Sequence, residues 1–362
     1  MGKKTIIVPI FKNKGSKLDC ENHRGISLLS VPSKTFMRVL LNKIKPQLEE
    51  KLREEQAGFR GGRSTIDQIF ALRQIIEKRW EYALPVYCSF MDLEKAYDSV
   101  WREGMWQIAE YYGIPAKIVA ILKSWYDGIH SCVRVDGEDG DWFPISTGLR
   151  QGCVMSPSLF NVYMDAMMRK VTEDGAGGIM VGSEKIADLD FADDVALLAD
   201  SWVVMVSMVM KMEQVTQRFG INISARKSET LFIGRDGDIR MEDIELRGQP
   251  MKQVDEFTYL GSVISSDGKF LKDIEKRRAA ATRAFGMLRA RMWGRREISL
   301  KVKMKVFNAI VLPVLMYGAT AWALTRTEEA RLDAFEMGML RSIVGVRWDD
   351  FVRNVDIREM LS

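Results

Sequence analysis

Apolar residues recur every three or four positions along several stretches of the chain, which predicts amphipathic helices. The predicted helices cover residues 33–53, 65–82, 99–112, 115–129, a segment after Pro157, and 201–219. A run rich in strand-forming residues, Val86–Met91, predicts a strand. Turn-forming residues predict exposed loops at 136–141 and 235–243. The pattern mixes strands and helices up to about residue 265 and is mostly helical from 270 to 362.

The apolar stretch 189–199 is interrupted by two adjacent carboxylates, Asp193 and Asp194. This stretch predicts two strands joined by a turn, with the two aspartates at the tip of the hairpin. Carboxylates in apolar surroundings cost several kcal/mol unless a cation pairs with them. A divalent metal is a suitable partner, because Mg²⁺ prefers oxygen ligands. By itself the segment is equally compatible with an ordinary Asp-rich turn.

A second acidic position supports the metal hypothesis. The strand Val86–Met91 ends at Asp92, and a helical pattern follows. Asp92 is therefore expected at the end of a strand, where it can meet the hairpin pair across a sheet. Three carboxylates from two strands suit a two-metal site for phosphoryl transfer, with ions about 3.5–4 Å apart. Tyr97 follows five residues later, where its ring can lie under a substrate sugar.

Charge is unevenly distributed behind a net value of +4. Residues 1–79 carry 17 basic and 8 acidic side chains, 92–200 carry 9 and 19, and 269–305 carry 13 and 3. Basic flanks around an acidic centre suit a protein that holds phosphates by charge and metal at its centre. The alternative is a set of ordinary solvated helix faces.

Composition excludes several other classes of protein. The four cysteines lie far apart and there are only two histidines, so no zinc-finger spacing is present. We expect a reduced, intracellular protein, nuclear or cytoplasmic, without a signal peptide. The apolar segment 306–324 is interrupted by Asn308, Pro313 and Gly318. It predicts a buried helix pair broken near Pro313 in preference to a membrane span.

Successive motifs carry a family resemblance. The central ones are Phe90–Asp98, Gly148–Pro157 and Phe191–Asp194; the flanking ones are Ile7–Gly15, Asn22–Leu29, Gln56–Thr65, Asn222–Glu229 and Phe257–Gly261. In this order they resemble the reverse transcriptases of non-LTR (LINE-type) retrotransposons, over residues 5 to 265. The resemblance implies an α+β, right-hand polymerase fold with an antiparallel palm sheet and a helical thumb. It implies fingers at 1–85, a palm at 86–265 with fingers-side insertions, and a thumb-like region at 266–362.

The resemblance also implies an activity, RNA-directed DNA synthesis with two Mg²⁺ ions, or Mn²⁺ as a substitute. The expected partners are an RNA template, a DNA primer and dNTPs, without a membrane. Asp92, Asp193, Asp194 and the Leu93 carbonyl are the implied metal ligands, and Lys227 is the implied proton donor to pyrophosphate. The implied nucleotide-binding residues are Arg60, Arg63, Tyr97, Gln151 and Gly152, and the implied primer contacts are Tyr259, Leu260 and Gly261. Asp98 is expected to be a structural acid.

Some family features are missing from the sequence. The related polyproteins usually carry an endonuclease before the polymerase, and some carry a Cys/His knuckle after it. Neither is found in the 362 residues, so a separate or fused endonuclease is expected to supply nicking, and the chain is expected to be a fragment or a degenerate copy. Two other functions stay open: a decayed or domesticated nucleic-acid-binding protein, and a maturase of the group II intron type.

Overall fold

The computed structural model describes residues 3–173, 175, 177–234 and 242–361. Strands β1 to β18 of this part are Lys4–Phe11, His23–Leu28, Val86–Met91, Leu93–Glu94, His130–Val135, Glu138–Asp139, Phe143–Pro144, Ile179–Val181, Glu184–Ile186, Asp188–Phe191, Asp194–Ala199, Asn222–Ile223, Glu229–Ile233, Glu245–Leu246, Gln249–Pro250, Lys252–Val254, Glu256–Tyr259 and Ser262–Ser265. Helices α1 to α12 are Val31–Lys51, Thr65–Glu81, Ala96–Ser99, Arg102–Tyr111, Ala116–Tyr126, Ser156–Thr172, Trp202–Arg218, Leu271–Met287, Leu300–Val306, Leu312–Leu315, Arg326–Val344 and Asn354–Leu361.

Two compact units make up the chain. The first contains the described residues of 1–68, 84–232 and 236–254, and the second those of 69–83, 233–235 and 255–362. Helix α2 and strand β13 each contribute to both units. The predicted boundaries of fingers, palm and thumb stay predictions.

A five-stranded sheet in the order β10-β11-β3-β13-β16 is the centre of the first unit as described. Strand β11 is antiparallel to both β10 and β3, whereas β13 and β16 are parallel. All six residues of β3 are buried, as is β11 after Asp194. Strands covered on both faces read as continuous apolar runs, which explains the apolar stretches around both acidic positions.

A second sheet of the first unit joins the N-terminal strands to the middle of the chain. Its described strands run β2-β1-β5-β6, with β7 also paired to β5. Strand β1 is antiparallel to β2 and parallel to β5. The predicted loop at 136–141 contains a tight hairpin instead, because Asp136 and Gly137 have positive φ and Val135 pairs with Glu138. Most of the loop predicted at 235–243 lies outside the described residues.

The predicted helices of the first unit are present with small shifts at their ends. The segment 99–112 is interrupted, since α3 ends at Ser99 and α4 begins at Arg102. Helix α6 has Pro157 in its first turn, where a missing N–H costs nothing. Ser156 does not cap that helix. It is the first helical residue, and its hydroxyl lies 3.0 Å from that of Tyr126.

The second unit is mostly helical and has its own core. Phe285 stacks on Trp293 with ring centroids 4.9 Å apart, and the same buried cluster includes Phe307, Val311 and Leu340. The β17–β18 hairpin lies in the same unit. Asp273 of α8 fixes it by accepting bonds from Ser262 and the Val263 N–H.

The apolar segment 306–324 forms no long helix. Helical structure continues from Leu300 to Leu315, with a π-helical stretch at Phe307–Val311 immediately before the Pro313 turn. Widening the turn there accommodates the missing proline N–H. The helical structure ends at Leu315, close to Pro313 as predicted, but only a 3₁₀ turn at Ala319–Ala321, after Gly318 with φ +77°, follows it in place of a second helix. Across the part of the chain that the structure describes, every helix is too short or too polar to cross a membrane.

Candidate active site

The two adjacent carboxylates lie at the tip of the β10–β11 hairpin, as predicted. Phe191 pairs with Asp194, so only Ala192 and Asp193 form the turn. Ala192 adopts φ +60° and is buried. A non-glycine residue in the left-handed region is uncommon and strained, so neighbouring contacts must hold it.

Asp92 follows directly from the central strand. Met91 pairs with Val195 in the antiparallel β3–β11 ladder. The Asp92 N–H donates to the Ser228 hydroxyl oxygen at 3.1 Å, and the Ser224 N–H donates to the Asp92 carbonyl at 2.9 Å. The backbone of Asp92 is thus fixed between the central sheet and the 224–228 turn.

The electrostatics of the three aspartates show that they share one neighbourhood. Loss of hydration raises the pKa of Asp193, which Asp92 raises further and Arg24 lowers. The pKa of Asp194 rises to about 6, first through lost hydration and then through repulsion by Asp193 and Asp92. Mutual repulsion of this kind is what a cation relieves.

Lys227 lies beside the first of these carboxylates. Its Nζ is 3.4 Å from Asp92 Oδ2; the lysine side chain is exposed and that of Asp92 is half-buried. Within the described residues, no group of three or more His, Cys, Asp or Glu side chains is gathered closely enough to hold a metal ion. The donor set still fits Mg²⁺ in its chemistry, since it offers carboxylate oxygens that repel one another.

Tyr97 is fixed by aromatic neighbours. Its ring stacks on Phe160 at a centroid distance of 4.1 Å, and Phe59 approaches edge-on at 6.3 Å. Burial and the charge of Asp193 raise the pKa of the phenol. The Leu149 N–H donates to the Tyr97 carbonyl at 2.7 Å, which ties this residue to the 148–152 loop.

The loop that carries Gln151 and Gly152 is held by its own neighbours. The Gln151 amide lies 3.4 Å from an Asp98 carboxylate oxygen, and its carbonyl accepts from the Ser27 N–H at 2.7 Å. Gly152 has φ +115°, and a Cβ there would lie 2.5 Å from the Ser27 carbonyl oxygen. The close approach that requires this glycine is therefore to strand β2.

The two arginines predicted to bind triphosphate differ in their surroundings. All three guanidinium nitrogens of Arg60 donate within the protein, to Glu49 and to the carbonyls of Arg53 and Gln56. Arg63 is more exposed and pairs with the exposed Glu54. This arrangement favours Arg63 over Arg60 as a phosphate ligand.

Two features near the hairpin were missed by sequence reasoning. Arg24 on β2 is a cation close enough to lower the pKa of Asp193, and only the family resemblance of its segment points to it in the sequence. Arg53 binds three buried carboxylates, Asp165 at 3.1 Å, Asp188 at 2.8 Å and Asp190 at 2.9 Å. These partners lie more than 100 residues from Arg53 in sequence, so local patterns carry no signal for them.

The residues expected to contact a primer form the turn of the β17–β18 hairpin in the second unit. Tyr259 pairs with Ser262, which leaves Leu260 and Gly261 as a two-residue turn with φ of +45° and +91°. Tyr317 donates to the Leu260 carbonyl at 2.8 Å, and Arg277 donates to the Gly261 carbonyl. Their contact with a primer stays a prediction.

Comparison with known proteins identifies relatives along nearly the whole chain. The RNA-directed DNA polymerase from the mobile element jockey of Drosophila melanogaster is 25% identical over 99% of the chain. The Pol polyprotein from a type-1 R2 retrotransposable element of Nasonia vitripennis is 28% identical over 74%. The chain spans 39% of the first relative and 26% of the second.

A solved structure shows the fold. Apo telomerase from Candida tropicalis, truncated of its C-terminal domain, superposes with a TM-score of 0.52 at 14% identity. The match covers 73% of this chain and 54% of that one. It confirms the predicted α+β, right-hand polymerase fold.

The model of the family described as reverse transcriptase (RNA-dependent DNA polymerase) matches residues 10–264. The chain therefore belongs to the reverse transcriptase family, as its motifs predict.

Proposed function

We propose that this chain is an RNA-directed DNA polymerase that extends a primer on an RNA template, as part of non-LTR retrotransposition. The observation that best supports the proposal is the β3–β11 register, because Asp92 follows β3 at the same end of the buried sheet as the turn with Asp193 and Asp194. Membership of the reverse transcriptase family and the names of the relatives support it.

In this function Asp92, Asp193 and Asp194 would hold two Mg²⁺ ions, with the Leu93 carbonyl as a further ligand and Mn²⁺ as a substitute. When bound, the ions would supply positive charge against the triphosphate and would lower the pKa of the primer 3′-hydroxyl. The raised pKa of Asp194 supports this use, because an unrelieved cluster of carboxylates favours cation binding.

The remaining residues orient substrates and move a proton. Tyr97, held against Phe160, presents its ring to the sugar and disfavours a 2′-hydroxyl. Lys227 lies beside Asp92 and gives a proton to the leaving pyrophosphate. Arg63 binds the triphosphate, with Arg24 as a further cation, and Gln151 and Gly152 line the nucleotide site. For Arg60, the bonds to Glu49 and to carbonyls favour a structural use.

Template, primer and location complete the proposal. The fingers cover 1–85, the palm 86–265 and the thumb-like region 266–362, and the turn at Leu260–Gly261 contacts the DNA primer. Basic side chains in 1–79 and 269–305 bind the nucleic-acid backbone. The polymerase uses dNTPs, works with an endonuclease, and acts in the nucleus or cytoplasm.

Primer extension tests the proposal directly. Purified protein is incubated with poly(rA)/oligo(dT), dTTP and Mg²⁺, and incorporation is compared between wild type and Asp193→Asn. We expect incorporation by the wild type alone. A folded wild-type protein that binds the duplex without extending it would instead indicate a nucleic-acid-binding protein of polymerase descent.

A further inference from the structure

The edge of the central sheet next to the aspartate hairpin is covered by a short extended segment, Glu55–Gly58. The Asp190 N–H donates to the Glu55 carbonyl at 3.0 Å, and the Ala57 N–H donates to the Asp190 carbonyl at 2.9 Å. Gln56 and Asp190 are bridged in parallel. Backbone bonds of this kind fix the segment alongside β10, immediately before the aspartate turn.

The side chain of Gln56 extends this attachment to the turn itself. It is fully buried. Its Oε1 accepts two bonds, from the Ala192 N–H at 2.9 Å and from the Gly58 N–H at 2.8 Å. Its Nε2 lies 3.4 Å from the Ala192 carbonyl oxygen. The amide therefore engages both backbone polar groups of the residue that precedes Asp193.

Gly58 also packs closely against Ala192. A Cβ at Gly58 would lie 2.3 Å from the Ala192 nitrogen, closer than any side chain tolerates. The Gly58 carbonyl in turn accepts a bond from Asn161 of helix α6 at 2.5 Å. The Ala192 turn is thus enclosed by Gln56 and Gly58, and that pair is tied to a buried helix.

We propose that Gln56 is a positioning residue for the candidate metal site, which acts by holding the Ala192 peptide and thereby fixing the Asp193 carboxylate. The inference rests on the proposed function. Ala192 occupies the left-handed region at a cost of about 1–2 kcal/mol, so the turn keeps this shape only while its surroundings enforce it. Loss of a group that orients a metal ligand typically lowers metal affinity by about 10–100-fold.

Two variants disturb the turn in different ways. Gln56→Met keeps the size of the side chain but leaves the N–H groups of Ala192 and Gly58 without their acceptor. Gly58→Ala keeps Gln56 but forces the turn to move. The matched control is Gln68→Met, because Gln68 is also buried and donates to the carbonyls of Glu55 at 2.6 Å and Asp190 at 3.1 Å, but it makes no hydrogen bond to Ala192.

The decisive measurement is Mn²⁺ binding to the complete chain, followed by electron paramagnetic resonance without nucleic acid or nucleotide. The dissociation constant should rise about tenfold or more for Gln56→Met and Gly58→Ala. It should not change for Gln68→Met. The Mg²⁺ concentration that gives half the maximal rate of primer extension should rise for Gln56→Met and Gly58→Ala and stay constant for Gln68→Met. Denaturant unfolding measures the loss of stability in each variant.

The outcomes separate the inference from the function on which it rests. Equal Mn²⁺ affinity in wild type, Gln56→Met and Gly58→Ala overturns the positioning role, and so does an equal loss in Gln68→Met. If Gln56→Met does not fold, Gly58→Ala decides alone. A wild type that binds Mn²⁺ but extends no primer fails the proposed function only. A wild type that extends a primer but shows no Mn²⁺ binding overturns the positioning role alone, and one that does neither overturns both.

Discussion

Met91 and Val195 pair across the antiparallel strands β3 and β11, and this pairing determines which carboxylates meet. Continuing the same register by one residue brings Asp92 opposite Asp194. Opposite residues in antiparallel strands have Cα atoms about 4.5–5.5 Å apart. A slip of one residue would turn these side chains to the other face of the sheet. The buried faces of β3 and β11 prevent such a slip, so the apolar core also determines the arrangement of the acidic groups.

Replacement of Asp193 by asparagine should abolish catalysis without loss of fold. The change removes a charge that we assign to metal binding while it preserves shape. Charge stabilisation by metal is worth several kcal/mol, so the rate of incorporation should fall by about 10³-fold or more. Primer extension at saturating template measures the rate, and filter binding of the duplex provides the control. Retention of more than a tenth of the activity would contradict the assignment.

Replacement of Tyr97 by alanine should relax selection against ribonucleotides. The aromatic ring that rests on Phe160 would no longer crowd a 2′-hydroxyl. Steric discrimination in a pocket is worth about 10–200-fold, so the ratio of rNTP to dNTP incorporation should rise within that range. Tyr97→Phe is the control, since it keeps the ring and should keep the ratio. An unchanged ratio in Tyr97→Ala would exclude the gating role.

The sequence predicted those parts of the site that depend on residues close together along the chain. Charge inside an apolar run located Asp193 and Asp194, and the end of a strand located Asp92. The support beneath them was not predictable in the same way, because Arg53 meets Asp165 and Asp188 across more than 100 residues. The Ser27 backbone also excludes a side chain at Gly152, a second need for glycine that local sequence patterns do not indicate.

Replacement of Arg53 by methionine should strongly destabilise the first unit. Burial alone lowers the pKa of this guanidinium, but the carboxylates of Asp188, Asp190 and Asp165 outweigh it and raise the pKa. Without Arg53 these buried groups lose their shared cation, which costs about 3–5 kcal/mol. Urea denaturation followed by circular dichroism measures the change. Arg53→Lys keeps the charge but lacks the forked donors, so its loss should be smaller.

Replacement of Asp190 by asparagine should remove a pH dependence of stability. Burial, and then the adjacent Asp188, raise the pKa of Asp190 well above its ordinary value. A raised pKa means that folding favours the protonated form. The stability that comes from the protonated Asp190 is fully present below the pKa of an unfolded aspartate, about 3.9, and is lost as the pH rises through the pKa of Asp190 in the folded protein. The wild type should therefore lose stability relative to Asp190→Asn as the pH increases. Denaturation midpoints across the pH range test this, and parallel curves would contradict it.

Replacement of Leu260 by glycine should separate stability from primer binding. Leu260 adopts φ +45°, a strained conformation for a leucine, and the Tyr317 hydroxyl holds its carbonyl. Glycine relieves strain worth about 1–2 kcal/mol, partly offset by its greater freedom when unfolded. The unfolding free energy should therefore stay constant or rise. Removal of the side chain should nevertheless weaken binding of a primer–template duplex if this turn contacts the primer.

The adjacent glycine provides the matched control for that experiment. Gly261→Ala introduces a Cβ at φ +91°, where it meets the Tyr317 ring at 3.4 Å, so this variant should lose stability. Duplex affinity, measured by fluorescence anisotropy at one fixed salt concentration, distinguishes the two effects. Weaker binding by a Leu260→Gly protein of undiminished stability assigns the loss to the missing contact. Unchanged affinity in that variant would show that Leu260 does not contact the primer. The strained backbone at this turn would then matter only for the folding of the hairpin.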